Sequence, residues 1–159
     1  RTRGIDLLKF ALNRDMPVLA ISSGMALLNE AFGGGAPKIL TAQHADETEI
    51  GVEGTRHSIY VSPGSKLAAI IGMGGFFKVN SRHLMGLTEA QRSPRLLASA
   101  YGLRDGVIEG LESPEHSWVI GLQSNIQSVE EIPKIFKNLF VAFQERAEDY
   151  GPSKSNESL

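Results

Sequence analysis

The stretch Ala20-Ile21-Ser22-Ser23-Gly24 sets serines between an apolar run, Pro17-Val18-Leu19, and a helical run, Met25-Ala26-Leu27-Leu28. A buried strand that bends sharply into a helix needs small residues at the bend, and it leaves one side chain exposed at the tip. That side chain then sits over the free N–H groups and positive dipole end of the helix, which favour an alkoxide, a thiolate or the oxyanion of a tetrahedral intermediate. The small-x-Ser-x-Gly spacing fits such a nucleophile turn, with Ala20 in place of the first glycine. A plainer reading also fits: Ser22 or Ser23 caps the helix, as serine commonly does.

The other chemistry-bearing residues are few. The chain has no cysteine and four histidines, which excludes disulfides, thiolate metal sites and cysteine nucleophiles. His44 falls in a polar stretch, His57 opens a β-rich region, His83 follows Asn80-Ser81-Arg82, and His116 ends Ser113-Pro114-Glu115. No two share a predicted element at metal-ligand spacing, so neither a metal nor a cofactor is expected. At 159 residues with 42% apolar content and a net charge of −2, the composition suits one soluble domain. It carries no electrostatic footprint for nucleic acid and no run long enough to span a bilayer. A cytoplasmic protein is the simplest expectation.

The elements that would position these groups follow from periodicity. Ile5, Leu8, Ala11 and Leu12 predict an amphipathic helix over about 4–14, Pro17 to Ile21 a strand, and Gly24 to Phe32 a helix closed by Gly33-Gly34-Gly35. Residues 36–56 read as a surface loop. Beyond them, strands are expected at 58–61, 76–79, 96–101, 107–112 and 118–123, with Asp105-Gly106 as a hairpin turn. Ile132, Ile135, Phe136, Leu139, Phe140 and Phe143 predict a closing helix over about 131–148. The domain is expected to span 1–150, with 151–159 a disordered tail.

Several collinear segments resemble one family. Leu7-Leu8-Lys9-Phe10-Ala11-Leu12, the turn from Met16 to Asn29, Pro63-Gly64-Ser65-Lys66-Leu67, Val79-Asn80-Ser81-Arg82-His83, Asp105 to Glu112 and Ile120-Gly121-Leu122-Gln123 are similar to the class I glutamine amidotransferases. The likeness is to their gamma-glutamyl-gamma-aminobutyrate hydrolase branch. It implies a three-layer α/β fold of flavodoxin-like type, a mostly parallel sheet flanked by helices, with its N-terminal strands missing from this chain. The upstream strands and Gly-Gly segment of that family do not precede Arg1, so the chain is expected to be a fragment. A sheet lacking those strands would otherwise leave an edge liable to pair with another chain.

The resemblance also implies roles. In that family the turn reads Gly-Ile-Cys-x-Gly and its cysteine attacks a gamma-glutamyl amide, while a Trp-His-Pro-Glu type sequence after the last strand supplies base and orienter. Here Ser22, Asn125 and Gln127 stand at the nucleophile, base and orienter positions. These replacements delete every ionisable group of the triad. Ser23 is the positional oxyanion donor through its backbone N–H, and Asn80, Ser81 and His83 match a substrate-binding segment that is only partly kept. The expected protein is catalytically inactive, retaining a pocket for a gamma-glutamyl or other small carboxylate compound. An active hydrolase using Ser22 with His83 or His57 as a relocated base is the alternative, and a regulatory or interaction subunit, as a homodimer or with a partner, is a third.

Overall fold

The computed structural model describes residues 2–40, 49–51, 54–80, 85–103, 105–124 and 133–154. The predicted amphipathic helix is α1 (Thr2–Asn13), followed by β1 (Val18–Ile21) and α2 (Ser23–Ala31). Gly33 ends α2 at φ 85° and returns its N–H to the Glu30 carbonyl at 2.9 Å, the left-handed cap that glycine adopts without a Cβ penalty. Next come β2 (Lys38–Ile39), β3 (Glu49–Gly51) and β4 (Gly54–Val61). The expected 36–56 loop therefore contains strands in its described part.

A short helix that periodicity did not reveal, α3 (Lys66–Ile71), follows β4. Ser65 caps it by accepting from the Ala68 N–H at 3.0 Å, and the Glu112 carboxylate accepts from Lys66 N–H at 3.0 Å. Then come β5 (Gly75–Asn80), β6 (Met85–Gly86), β7 (Leu97–Gly102), β8 (Ile108–Glu112) and β9 (Val119–Leu122). A 3-10 turn (Lys134–Phe136) leads into α4 (Lys137–Lys154). The closing helix thus runs past 148 into the segment expected as tail, and 155–159 lie outside the described residues.

The main sheet runs β1-β9-β8-β7-β4-β3, with β5 on the other side of β4. Only β1 and β9 pair in parallel among the described strands; every other pair in this sheet is antiparallel. The sheet is mixed rather than mostly parallel because close-set connections such as those of β3–β4 and β7–β8 can make antiparallel neighbours, whereas parallel ones need a long crossover. The three-layer expectation holds. One face packs Val18, Ala20, Ile108 and Leu111 against Met25 and Leu28 of α2, with Leu8, Ala11 and Leu12 of α1 beside them. The opposite face packs Ile59, Val61, Ile120 and Leu122 against Leu67 and Ile71 of α3 and Leu139 of α4.

Gly121 decides how closely α2 can approach the sheet. It lies beside Ala20 in the β1–β9 register, and a Cβ there would stand 2.8 Å from Met25 Cγ and 3.3 Å from Leu28 Cδ2. Overpacking of this kind destabilises by about 1–3 kcal/mol. Gly121→Ala is accordingly expected to lower the unfolding free energy by that amount in a denaturant titration; unchanged stability would mean that α2 shifts freely.

Candidate functional site

Three adjacent strands bring one row of residues to the same end of the sheet. Ser22 follows β1 and donates its N–H to the Leu122 carbonyl at 2.8 Å. Gln123 follows β9 and donates to the Glu109 carbonyl at 2.8 Å. The row is therefore Ser22, Gln123, Glu109, with α2 rising from its first member.

The capping reading of Ser22 fails on geometry. Ser22 occupies the N-cap position of α2, yet its side chain makes no capping hydrogen bond, and its backbone sits at φ 55°, ψ −121°. This combination lies outside the left-handed helical well and is strained for a residue with a Cβ, by about 1–3 kcal/mol. The bend is held from both sides: the Ser22 N–H is fixed to β9, and its carbonyl accepts the first helical bond from Met25 N–H at 3.0 Å. Ser23 is the first residue of α2, so its N–H belongs to the open first turn of the helix. Gly24 is less constrained than the turn pattern implies, since a Cβ there would meet Ala20 Cβ at an ordinary 3.8 Å.

Glycine reaches the Ser22 conformation without that strain. Ser22→Gly is expected to stabilise the chain by about 1 kcal/mol after the extra unfolded-state entropy is deducted, a rise of about 3 °C in Tm. A fall in Tm would show that the Ser22 side chain contributes to stability.

Glu109 carries no motif in the sequence that marks it, yet the structure sets it in the row. It is fully buried, as are Ser99 and Ser124 nearby. The β7–β8 register slips on each side of the Ala100–Gly110 pair, so that Ser99 and Glu109 are the extra residues of successive bulges. Bulges bend a strand and re-aim side chains, and they concentrate beside functional sites. The available signal was a lone glutamate inside the apolar run Val107-Ile108-Glu109-Gly110-Leu111.

The remaining candidates fall in different places. Asn125 and Gln127 lie outside the described residues, as do Ser81, His83 and His44. Asn80 ends β5 opposite Arg56, and His57 lies in β4 opposite Val79. β4 is four strand positions from β1, roughly 19 Å at ordinary strand spacing. His116 precedes β9 at the end of the sheet away from Ser22; its Nδ1 lies 2.7 Å from Ser113 Oγ and its ring packs nearly perpendicular to that of Phe32, centroids 5.5 Å apart. That is a structural setting. Displaced titrations also occur away from the row: Glu89 is held below the usual carboxylate range by its hydrogen bonds from Arg92 and Tyr101, and Glu115 by its bond from Arg95. Among the described residues no group of three or more His, Asp or Glu could hold a metal ion, and no helix is long and apolar enough to cross a membrane.

Comparison with known proteins places these features in context. The Peptidase C26 family pattern matches residues 2–124. The gamma-glutamyl-gamma-aminobutyrate hydrolase of Escherichia coli O157:H7 is 32% identical over 125 residues, covering 74% of this chain and 48% of that protein. A putative glutamine amidotransferase of Mycobacterium tuberculosis is 33% identical over 137 residues, covering 84% of this chain and 42% of its own length. The chain thus spans about half the length of these relatives. Among solved structures, the glutaminase domain of a Trypanosoma brucei CTPS with bound acivicin superposes with a TM-score of 0.66 at 13% identity, over 92% of this chain and 65% of that one. A glutamine amidotransferase of Methylobacillus flagellatus gives 0.58 at 17% identity, over 77% and 43%.

Proposed function

Because the chain belongs to the Peptidase C26 family, we propose that it is a gamma-glutamyl amide hydrolase-like protein that has lost hydrolysis and keeps a pocket for a gamma-glutamyl or other small carboxylate compound. The observation that carries this reading is the strained bend at Ser22, which presents its tip over the N-terminus of α2. Strain of that size persists where surrounding structure enforces it, and it collects at sites of binding and catalysis.

Loss of hydrolysis is read from the three replaced positions. A serine hydroxyl needs a base to accept its proton, and an asparagine at position 125 cannot accept one near neutral pH. Gln127 adds no charge to stabilise an imidazolium. His57 is an unsuitable substitute, since its strand is separated from β1 by β7, β8 and β9.

The test uses gamma-glutamyl-gamma-aminobutyrate as ligand and acivicin as electrophile. We expect saturable binding of the first by calorimetry, no measurable hydrolysis, and no covalent adduct of the second at Ser22 by mass spectrometry. Binding should weaken at least about tenfold in Ser22→Phe, which would fill the tip of the bend. Turnover, or an acivicin adduct on Ser22, would establish an active nucleophile instead; absence of binding would remove the pocket.

A further inference from the structure

A cavity of about 170 Å³ opens among three segments that are far apart in the chain. It lies where β1 and β9 begin rather than where they end. The four residues of β1 stand between Pro17, on its wall, and Ser22, a separation of roughly 16 Å at ordinary strand rise. The cavity is therefore distinct from the row of Ser22, Gln123 and Glu109.

Hydrogen bonds between the three segments hold its walls in place. Asp15 follows α1 at φ 49°, and its carboxylate accepts from the Ser117 N–H at 2.9 Å and from the Ser117 hydroxyl. This ties the α1–β1 turn to the β8–β9 turn. Tyr150 of α4 donates its hydroxyl to the Arg14 carbonyl at 3.1 Å, which ties α4 to the same place. Pro17 and Trp118 supply apolar wall, and the buried Trp118 ring is backed by Phe143 of α4, centroids 5.5 Å apart.

The charged groups on this wall carry both signs. Arg146 and Asp149 line it from α4, three residues apart and so neighbours on the helix surface, and Asp15 lines it from the α1–β1 turn. Arg146 is exposed and makes no hydrogen bond or ion pair among the described residues. A purely anionic ligand would meet two carboxylates here, and a simple amine would meet the guanidinium. A molecule carrying both charges suits all three groups. Its carboxylate takes the N–H fork of Arg146, its ammonium donates to Asp149 and to remaining lone pairs of Asp15, and its carbon atoms lie against Pro17 and Trp118. A cavity of about 150 Å³ holds a benzene ring, so the space here suits about six to eight heavy atoms. We propose that this cavity is a binding site for a small zwitterionic amino acid, of α or ω type, separate from the pocket at Ser22.

Trp118 is the chain's single tryptophan, so its indole N–H resonance reports on the cavity without ambiguity. The test titrates the whole chain with alanine, serine and 4-aminobutyrate, and in parallel with butyrate and butylamine. At least one of the three amino acids should shift the Trp118 resonance saturably, and whether it is an α- or the ω-amino acid gives the spacing of the charged heads. Butyrate and butylamine should each bind at least about tenfold more weakly. Arg146→Gln and Asp149→Asn, both at exposed positions of α4, should each weaken the amino acid at least about tenfold, with Arg146→Lys milder than Arg146→Gln. Ser22→Phe should leave the titration unchanged.

No saturable shift with any of the three amino acids would overturn the proposal. Butylamine or butyrate binding as tightly as the amino acid would overturn it too, since one charge would then suffice. Heat of binding in calorimetry without a change at Trp118, or loss of the response in Ser22→Phe, would place the ligand elsewhere and overturn it equally. The titrations of the parent chain decide these outcomes even where a variant fails to fold.

Discussion

A chain carrying Ser22→Cys, Asn125→His and Gln127→Glu together should hydrolyse gamma-glutamyl-gamma-aminobutyrate on the order of a thousandfold faster than any of the three single variants. On the proposed reading each substitution would supply one member of a nucleophile, base and orienter set, and none would suffice alone. A thiol at position 22 would stand over the α2 N-terminus, where helix dipole and open N–H groups favour the thiolate. An imidazole at 125 would give it a proton acceptor, and a carboxylate at 127 would orient and stabilise the imidazolium. Members of such a constellation act as a unit, so single variants should remain at background.

The parent has no cysteine, and a mass spectrum of the acivicin-treated variant would therefore count reaction at the single introduced thiol without interference. A folded triple variant no faster than Ser22→Cys would mean that positions 125 and 127 do not converge on the bend. Comparable turnover by the parent would refute the loss of hydrolysis outright.

The bend itself was legible because its requirements are local: small residues, an apolar run before it and a helical run after it. Its strained conformation was not, since the restraint on Ser22 comes from Leu122 in a strand far along the chain. The same division explains α3. Lys66-Leu67-Ala68-Ala69-Ile70-Ile71 has no helical polar face to betray it, and Glu112 supports its first turn from β8. Glu109 falls inside the strand expected over 107–112 without standing out, because a bulge depends on the register of two strands and leaves no local mark. The three layers were implied by the family resemblance, and apolar periodicity located the helices at either end of the chain that cover the sheet. The direction of pairing was not recoverable, because it depends on which strands meet, and the β3–β4–β5 arm brings antiparallel neighbours into a sheet that the family resemblance made mostly parallel.

Position 29 should be among the least replaceable of the described residues, with Asn29→Ala expected to lower stability by about 2–4 kcal/mol. Asn29 is fully buried at the C-terminal end of α2. Its Nδ2 donates to the Gly35 and Gln91 carbonyls, both at 2.9 Å, and its Oδ1 accepts from the Ser93 N–H at 2.8 Å. One side chain thus ties the end of α2 to the segments on both sides of the β2–β6 ribbon. In the alanine variant Gln91 O keeps its bond from Gly35 N–H, whereas Gly35 O and Ser93 N–H lose their bonds to the amide. The Ser93 N–H, on a fully buried residue, is stranded at a cost of about 1–3 kcal/mol, whereas the carbonyl of exposed Gly35 can turn to water, and the lost side-chain volume adds to the cost. Asn29→Asp should be no milder, because an ionised carboxylate would turn an acceptor toward two carbonyl oxygens. Urea unfolding followed by circular dichroism measures both. A loss below about 1 kcal/mol for Asn29→Ala, less than a single stranded group costs, would show that the segments around Gly35 and Ser93 are held by other contacts, and that α2 is anchored to the sheet by its apolar face alone.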